Sequence, residues 1–215
     1  MKALLDAAGG LDDGDGGKRR VRRPLLATLA FAGLRIGELL SLQWKDVDLA
    51  QGWIKVTASK THAGIRRIDI QPELREELLL WKSHARFVDP ADLVFPTGTG
   101  KSENRNNVRT RILLRAVTRA NEQIDEESED RLPDGLSPHA LRRTFASWLI
   151  AEGEDVAYVM DQLGHTDPKM TLGLYAKALR SKRRRSSGPP RPTGSAGVSQ
   201  AADSSASTSR ATTVS

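Results

Sequence analysis

Only one part of the sequence alternates in the manner of β-strands, and this restricts the fold more than any other feature. The segments WIKVTASK (53–60) and GIRRIDI (64–70) flank a short turn, THAG. Alternation on both sides of a turn predicts a β-hairpin. The remaining ordered segments have helical spacing, so we expect a mostly α fold with a small antiparallel β-sheet (α+β).

Capping residues, prolines and glycines mark the predicted helices. Gly33 is a natural helix-ending residue, while Ser137, Asp155 and Asp167 are suitable N-caps. Between the helices we expect a flexible loop over 11–20 and an acidic loop over 125–135. The predicted helices cover residues 1–9, 22–33, 35–44, 72–87, 102–123, 137–149, 155–164 and 167–182.

Composition excludes several classes of chemistry. The chain has no cysteine, which excludes disulfides, a thiol nucleophile and thiolate zinc ligands. The four histidines, His62, His84, His139 and His165, show no H-x-x-x-H pairing, so we predict no metal site and no cofactor. No apolar run long enough for a membrane helix and no signal-peptide pattern is present, which predicts a soluble, intracellular protein without a membrane partner.

The net charge of +6 is concentrated at one end of the chain. Residues 176–215 carry eight Lys/Arg and one acidic residue, a charge of +7, so the preceding residues sum to −1. A basic tail attracts phosphate without specificity. We expect residues 181–215 to be a disordered tail, basic at first and then rich in Ser, Ala and Thr.

The segment PTGTGKSENR (96–105) contains GKS and superficially suggests a nucleotide-binding P-loop. That motif requires a glycine five residues before Gly100, where this chain has Phe95. We therefore predict a turn at this position.

The stretch LSPHALRRTFASWL (136–149) indicates a functional helix start. Ser137 and Pro138 begin the helix, and His139 and Arg142, three residues apart, emerge near its N-terminal end. The free N–H groups and the helix dipole favour an anion such as phosphate there. The alternative is an ordinary surface His and Arg on an amphipathic helix.

Three further stretches place polar residues at the ends of helices or at the hairpin. Arg35 follows Gly33 at a helix junction, where Glu38 can brace its guanidinium as a phosphate fork. Lys60 lies at the hairpin tip, where an ordinary turn lysine is the alternative. His165 follows a helix-ending glycine; Tyr175 comes ten residues later, where a core tyrosine is the alternative.

Taken together, AGLRIGELLSLQW, SKTHAGIRR, SPHALRRTFASWL and LGHTDPKMTLGLY resemble the tyrosine recombinases of the phage-integrase family, in the same order. The resemblance covers about residues 1–180, which we interpret as the catalytic domain. It implies a DNA recombinase or integrase in which Tyr175 forms a 3′-phosphotyrosyl link. The implied catalytic set is Arg35, Lys60, His139, Arg142, His165 and Tyr175, supported by Glu38.

The same resemblance implies double-stranded DNA as substrate, a homo-tetramer assembled on DNA, and a cytoplasmic, nucleoid-associated location. Most members carry a helical DNA-clamping domain before the catalytic one, and we expect it to be absent here. Two alternatives stay open: a type IB topoisomerase-like enzyme that relaxes DNA, and a truncated DNA-binding remnant without recombination activity.

Overall fold

The computed structural model describes residues 1–14, 21–57, 65–128 and 130–165, together with Gly173 and Ala176. Within these residues the fold is mostly helical with one small antiparallel sheet, which confirms the predicted fold class. The helices are α1 Lys2–Gly14, α2 Arg22–Phe31, α3 Ile36–Leu40, α4 Pro72–His84, α5 Arg105–Asn107, α6 Leu114–Asn121, α7 Pro138–Glu152 and α8 Val156–Leu163.

The sheet has the order β1 (Val47–Asp48), β2 (Trp53–Val56) and β3 (Arg66–Asp69). β2 and β3 are the two strands of the predicted hairpin, with Ile54 opposite Ile68. The hairpin tip, residues 58–64, lies outside the described residues. The prediction missed β1, because two residues are too few to show an alternating pattern.

Several predicted helix boundaries are wrong: the helix 72–87 ends at His84, the helix 137–149 continues to Glu152, and the largest errors concern α1 and α3. α1 continues to Gly14 rather than ending at residue 9, because the buried Asp12 carboxylate in its last turn accepts hydrogen bonds from Arg22 and Arg23. The predicted helix 35–44 is shorter in the structure, where α3 is followed by a 3₁₀ turn, Trp44–Asp46. Residues 15–20 lie outside the described part of the chain.

The predicted helix over 102–123 is interrupted by a π-helical segment, Val108–Leu113, which separates α5 from α6. The preceding GKS segment is a turn, as predicted, in which Thr97 N–H donates to Lys101 O at 2.7 Å and Gly100 has a φ of +81°.

The described residues form two apolar clusters. The larger one includes buried side chains of α1, α2, the sheet, α4 and α6. The smaller one joins α7 to α8 through Phe145, Leu149, Val159 and Leu163. The second cluster brings the end of α8 close to the end of α2, since Gly33 lies against Phe145 and Leu163. No helix among the described residues has both the length and the apolar character needed to cross a bilayer.

Candidate active site

The candidate site begins where α2 ends and α3 starts. Gly33 adopts a φ of +57°, a left-handed conformation that suits glycine and turns the chain after α2. Arg35 is the N-cap residue of α3, and its backbone N–H donates to the Glu38 carboxylate at 2.8 Å. The Arg35 side chain is 47% exposed, so part of its guanidinium faces solvent.

Glu38 lies at the centre of the site, and its carboxylate is buried. Its Oε1 accepts from Arg35 Nη1 at 2.8 Å, the contact that the sequence predicted. It also accepts a bidentate pair from Arg66, at 3.1 Å from Nη1 and 2.9 Å from Nη2. Burial raises the pKa of this carboxyl, but the hydrogen bonds and charge of Arg66 and the hydrogen bonds of Arg35 bring it below its ordinary value.

The sequence analysis missed Arg66, although the strand pattern held a signal for it. In β3 the side chains of Arg66 and Ile68 are buried, whereas Arg67 and Asp69 are exposed. Because successive side chains of a strand point to opposite faces, Arg66 lies on the core face of β3 together with Ile68. A buried guanidinium needs hydrogen-bond acceptors, and for Arg66 these include the Glu38 carboxylate.

The C-terminal end of α8 brings three arginines together. Its last two carbonyls and that of the C-cap residue each accept a hydrogen bond from one arginine: Gln162 O from Arg66 Nε at 2.9 Å, Leu163 O from Arg142 Nη2, and Gly164 O from Arg35 Nη2 at 3.1 Å. The end of a helix has carbonyls without intrahelical partners, and the negative end of its dipole attracts cations. Arg35, Arg66, Arg142 and Glu38 are called the arginine cluster below.

Arg142 lies in the first turns of α7, which starts as predicted. Ser137 caps the helix by accepting from Ala140 N–H, and Pro138 is its first residue. The Arg142 side chain is buried and also donates to Gly33 O through Nη1. Burial, and then the charges of Arg35 and Arg66, lower the pKa of Arg142 to about 9, so it remains charged at pH 7.

His165 follows α8 directly, and backbone hydrogen bonds at the end of the helix fix its position. Gly164 is left-handed, and the N–H groups of Gly164 and His165 donate to Asp161 O and Met160 O, each at 3.0 Å, in a Schellman motif. Partial burial, and then the charges of the arginines and His139, lower the pKa of His165 to about 4. The imidazole is therefore neutral at pH 7, with one N–H donor.

The structure brings together four of the seven predicted site residues: Arg35, Glu38, Arg142 and His165. His139 is exposed on the first turn of α7, near enough for its charge to act on His165. Lys60 and Tyr175 lie outside the described residues. Among the residues that are described, no group of three or more His, Asp or Glu is arranged to hold a metal ion.

Tyr158 is the other tyrosine of the chain, and its hydroxyl is already engaged. The phenol donates to Asp69 Oδ2 at 2.9 Å and joins α8 to β3. Burial, and then this hydrogen bond and charge of Asp69, raise the pKa of Tyr158. A phenol whose ionised form is disfavoured in this way is poorly suited to act as a nucleophile.

The sequence profile of the phage integrase family matches residues 4–182. The chain belongs to the phage integrase family. Among curated relatives, the tyrosine recombinase XerC of Pseudomonas fluorescens strain Pf0-1 is 31% identical over 150 residues, covering 68% of this chain and 45% of that protein. The tyrosine recombinase XerD of Proteus mirabilis is 31% identical over 157 residues, covering 69% and 45% respectively. This phage-integrase chain spans about half the length of the curated relatives that it matches.

Solved structures of recombinases share its fold. The crystal structure of XerA recombinase superposes with a TM-score of 0.64 at 22% identity, covering 87% of this chain and 61% of that one. The Tn1549 transposon integrase, in complex with circular intermediate DNA, gives a TM-score of 0.57 at 24% identity, covering 76% and 58%.

Proposed function

We propose that this phage-integrase chain is the catalytic part of a site-specific DNA recombinase that cuts and rejoins strands through a 3′-phosphotyrosyl intermediate. The observation that carries the proposal is the arginine cluster, in which Arg35 and Arg142 are held at one helix end beside the neutral His165. Permanent positive charges fixed in advance stabilise the charge that develops on a phosphodiester under attack.

The proposed cleavage step forms one bond and breaks one. The Tyr175 phenol oxygen bonds to the scissile phosphorus while the bond from phosphorus to the 5′ oxygen breaks. The phenol proton passes to His139, and Lys60 protonates the departing 5′ oxygen. Arg35, Arg142 and the His165 N–H stabilise the non-bridging oxygens.

Rejoining reverses this step with a 5′-hydroxyl from the same or another strand. The phosphotyrosyl link conserves the energy of the phosphodiester bond, so the proposed reaction needs neither ATP nor a metal ion. The proposed substrate is double-stranded DNA. A homo-tetramer on DNA and a cytoplasmic, nucleoid-associated location belong to the same proposal, supported by the recombinase names of the relatives.

Covalent trapping tests the proposal. The substrate is a pool of duplexes with randomised arms, each nicked close to the cleavage position. After cleavage the short fragment diffuses away, so rejoining is prevented and the cleaving protein stays attached to DNA after denaturation. We expect an adduct with the wild-type chain and none with Tyr175→Phe, which removes only the attacking oxygen.

The matched control is Tyr158→Phe, which removes the only other phenol and should still give the adduct. Adduct formation by Tyr175→Phe would assign the nucleophile to another residue. Relaxation of supercoiled plasmid without strand transfer would identify the topoisomerase-like alternative instead.

A further inference from the structure

Arg66 is a buried member of the arginine cluster. Its side chain is 2% exposed, against 47% for Arg35, so it offers far less surface to a DNA phosphate than Arg35 does. Its guanidinium instead donates to both oxygens of Glu38 and, through Nε, to Gln162 O. All of these partners belong to elements that carry other residues of the candidate site.

Each partner of Arg66 is one contact away from a site residue. Glu38 accepts from Arg35 at 2.8 Å. The carbonyls directly after Gln162 accept from Arg142 and Arg35. A Cβ added to Gly164 would lie 2.9 Å from Arg66 Cδ, so the turn that carries His165 packs directly on this side chain.

Arg66 also connects this assembly to the hairpin. It is the first residue of β3 and comes shortly after the tip that contains Lys60. Further along the strand, Asp69 N–H donates to Gln162 Oε1 at 2.9 Å. Hydrogen bonds of both Arg66 and Asp69 therefore attach β3 to the end of α8.

The charge of Arg66 matters as well as its contacts. Three guanidinium groups and one carboxylate leave the arginine cluster at +2, with His165 neutral. A phosphodiester carries one negative charge and gains a second when a phenolate oxygen attacks it. Without Arg66 the cluster would be left at +1, and a buried carboxylate would have lost its bidentate partner.

We propose that Arg66 is a positioning residue for strand cleavage, an inference that rests on the function proposed above. It fixes the position of Glu38, and through Glu38 that of Arg35, relative to the end of α8 that holds Arg142 and His165. Its positive charge also offsets the negative charge of Glu38. Arg66 does this without touching DNA.

Three variants separate this role from simple stabilisation. Arg66→Met keeps an unbranched side chain, although a shorter one, and removes the charge and the hydrogen bonds. Arg66→Lys keeps the charge and loses the planar fork. Arg67→Met, at the neighbouring exposed position of β3, is the matched control for strand stability and net charge.

Two measurements are made on each variant, well below its melting temperature. The first is the rate of covalent adduct formation at saturating concentrations of one nicked duplex recovered from the randomised pool, together with the Kd for that duplex. The second is the titration of the His165 ring by NMR, assigned with His165→Gln, in the absence of DNA.

We expect Arg66→Met to slow adduct formation on the order of 10²-fold, as for a displaced catalytic group, with Kd unchanged. The pKa of His165 should rise, because a nearby positive charge has been removed. Arg66→Lys should form the adduct slowly but keep the His165 titration close to that of wild type. Arg67→Met should match wild type in both measurements.

A folded Arg66→Met protein with the wild-type adduct rate and the wild-type His165 titration would overturn the inference, even if its melting temperature were lower. If Arg66→Met does not fold, Arg66→Lys decides, and a wild-type adduct rate there would overturn it equally. If the wild-type chain forms no adduct, the proposed function fails; an unchanged His165 titration in Arg66→Met would then also reject the role of Arg66.

Discussion

At the scale of single residues, the site depends on how Glu38 balances two guanidinium groups in a buried position. Removing a charged group from water is costly unless hydrogen bonds and an opposite charge compensate for it. Glu38 accepts four hydrogen bonds, two from Arg35 and two from Arg66. This arrangement lets Arg66 be buried while Arg35 keeps an exposed side.

Single residues also show which contacts could be predicted from the sequence and which could not. Arg35, Glu38, Arg142 and His165 were predicted from local motifs, and the structure brings them together. The burial of Arg142, whose guanidinium donates to Gly33 O and Leu163 O, was not predictable. Those partners are backbone carbonyls far away in sequence, and carbonyls have no sequence signature.

His165 leads to a prediction on stability and pH. Its pKa is lowered to about 4 in the folded protein, against an ordinary value near 6.5. Between these values the unfolded chain binds the extra proton, so the free energy of unfolding should fall as the pH is lowered from about 6.5 to about 4. His165→Gln should reduce this dependence, by at most about 1.4 kcal/mol per pH unit.

Urea unfolding at a series of pH values measures the effect. His84→Gln, at the exposed end of α4, is the control and should keep the wild-type pH dependence. Parallel stability curves for wild type and His165→Gln over this pH range would contradict the expectation.

At the scale of elements, the end of α8 fixes the positions of the three guanidinium groups. Three consecutive carbonyls accept three arginines from α7, β3 and the junction before α3. The sequence analysis correctly predicted the start of α7 and both ends of α8, because Ser137, Asp155 and Gly164 are local signals. It could not predict the length of α1, which depends on contacts of Asp12 with a different helix.

The junction between α2 and α3 provides a prediction about packing. In Gly33→Ala, the new Cβ would lie 2.4 Å from Phe145 Cδ1, and φ at this position is +57°. Phe145 is fully buried in the α7–α8 cluster and has little room to move. We expect a loss of about 2–5 kcal/mol in the free energy of unfolding, from backbone strain and overpacking together.

Gly52→Ala is the matched control, because φ there is +74° but no atom lies within 4 Å of the added Cβ. It should cost only the backbone strain, about 1–2 kcal/mol. Denaturant unfolding of both variants gives the comparison. Equal losses in the two would show that contact with Phe145 contributes nothing.

At the scale of the whole molecule, charge is divided between two regions. Residues 1–175 sum to −1, while residues 176–215 carry +7. The permanent positive charges of the site are embedded in a body that is nearly neutral. Nonspecific attraction to DNA should therefore come largely from the tail, and specific chemistry from the arginine cluster.

Deleting residues 181–215 should weaken binding to random duplex DNA and flatten the dependence of log Kd on log salt concentration, because fewer counterions are released. Deleting only 186–215 retains the basic run Lys182–Arg185 and should leave both close to wild type. Fluorescence anisotropy at several salt concentrations measures them. An unchanged slope after the longer deletion would rule out this role for the tail.

The hydrogen bond from Arg35 to Gly164 O joins residues 129 positions apart, and this separation has a consequence for biosynthesis. At about 5–20 residues per second on the ribosome, Arg35 is made roughly 6–26 s before its acceptor. Until then α8 does not exist, and the arginines lack the carbonyls that hold them together. A partly synthesised chain that ends before α8 thus has no assembled arginine cluster.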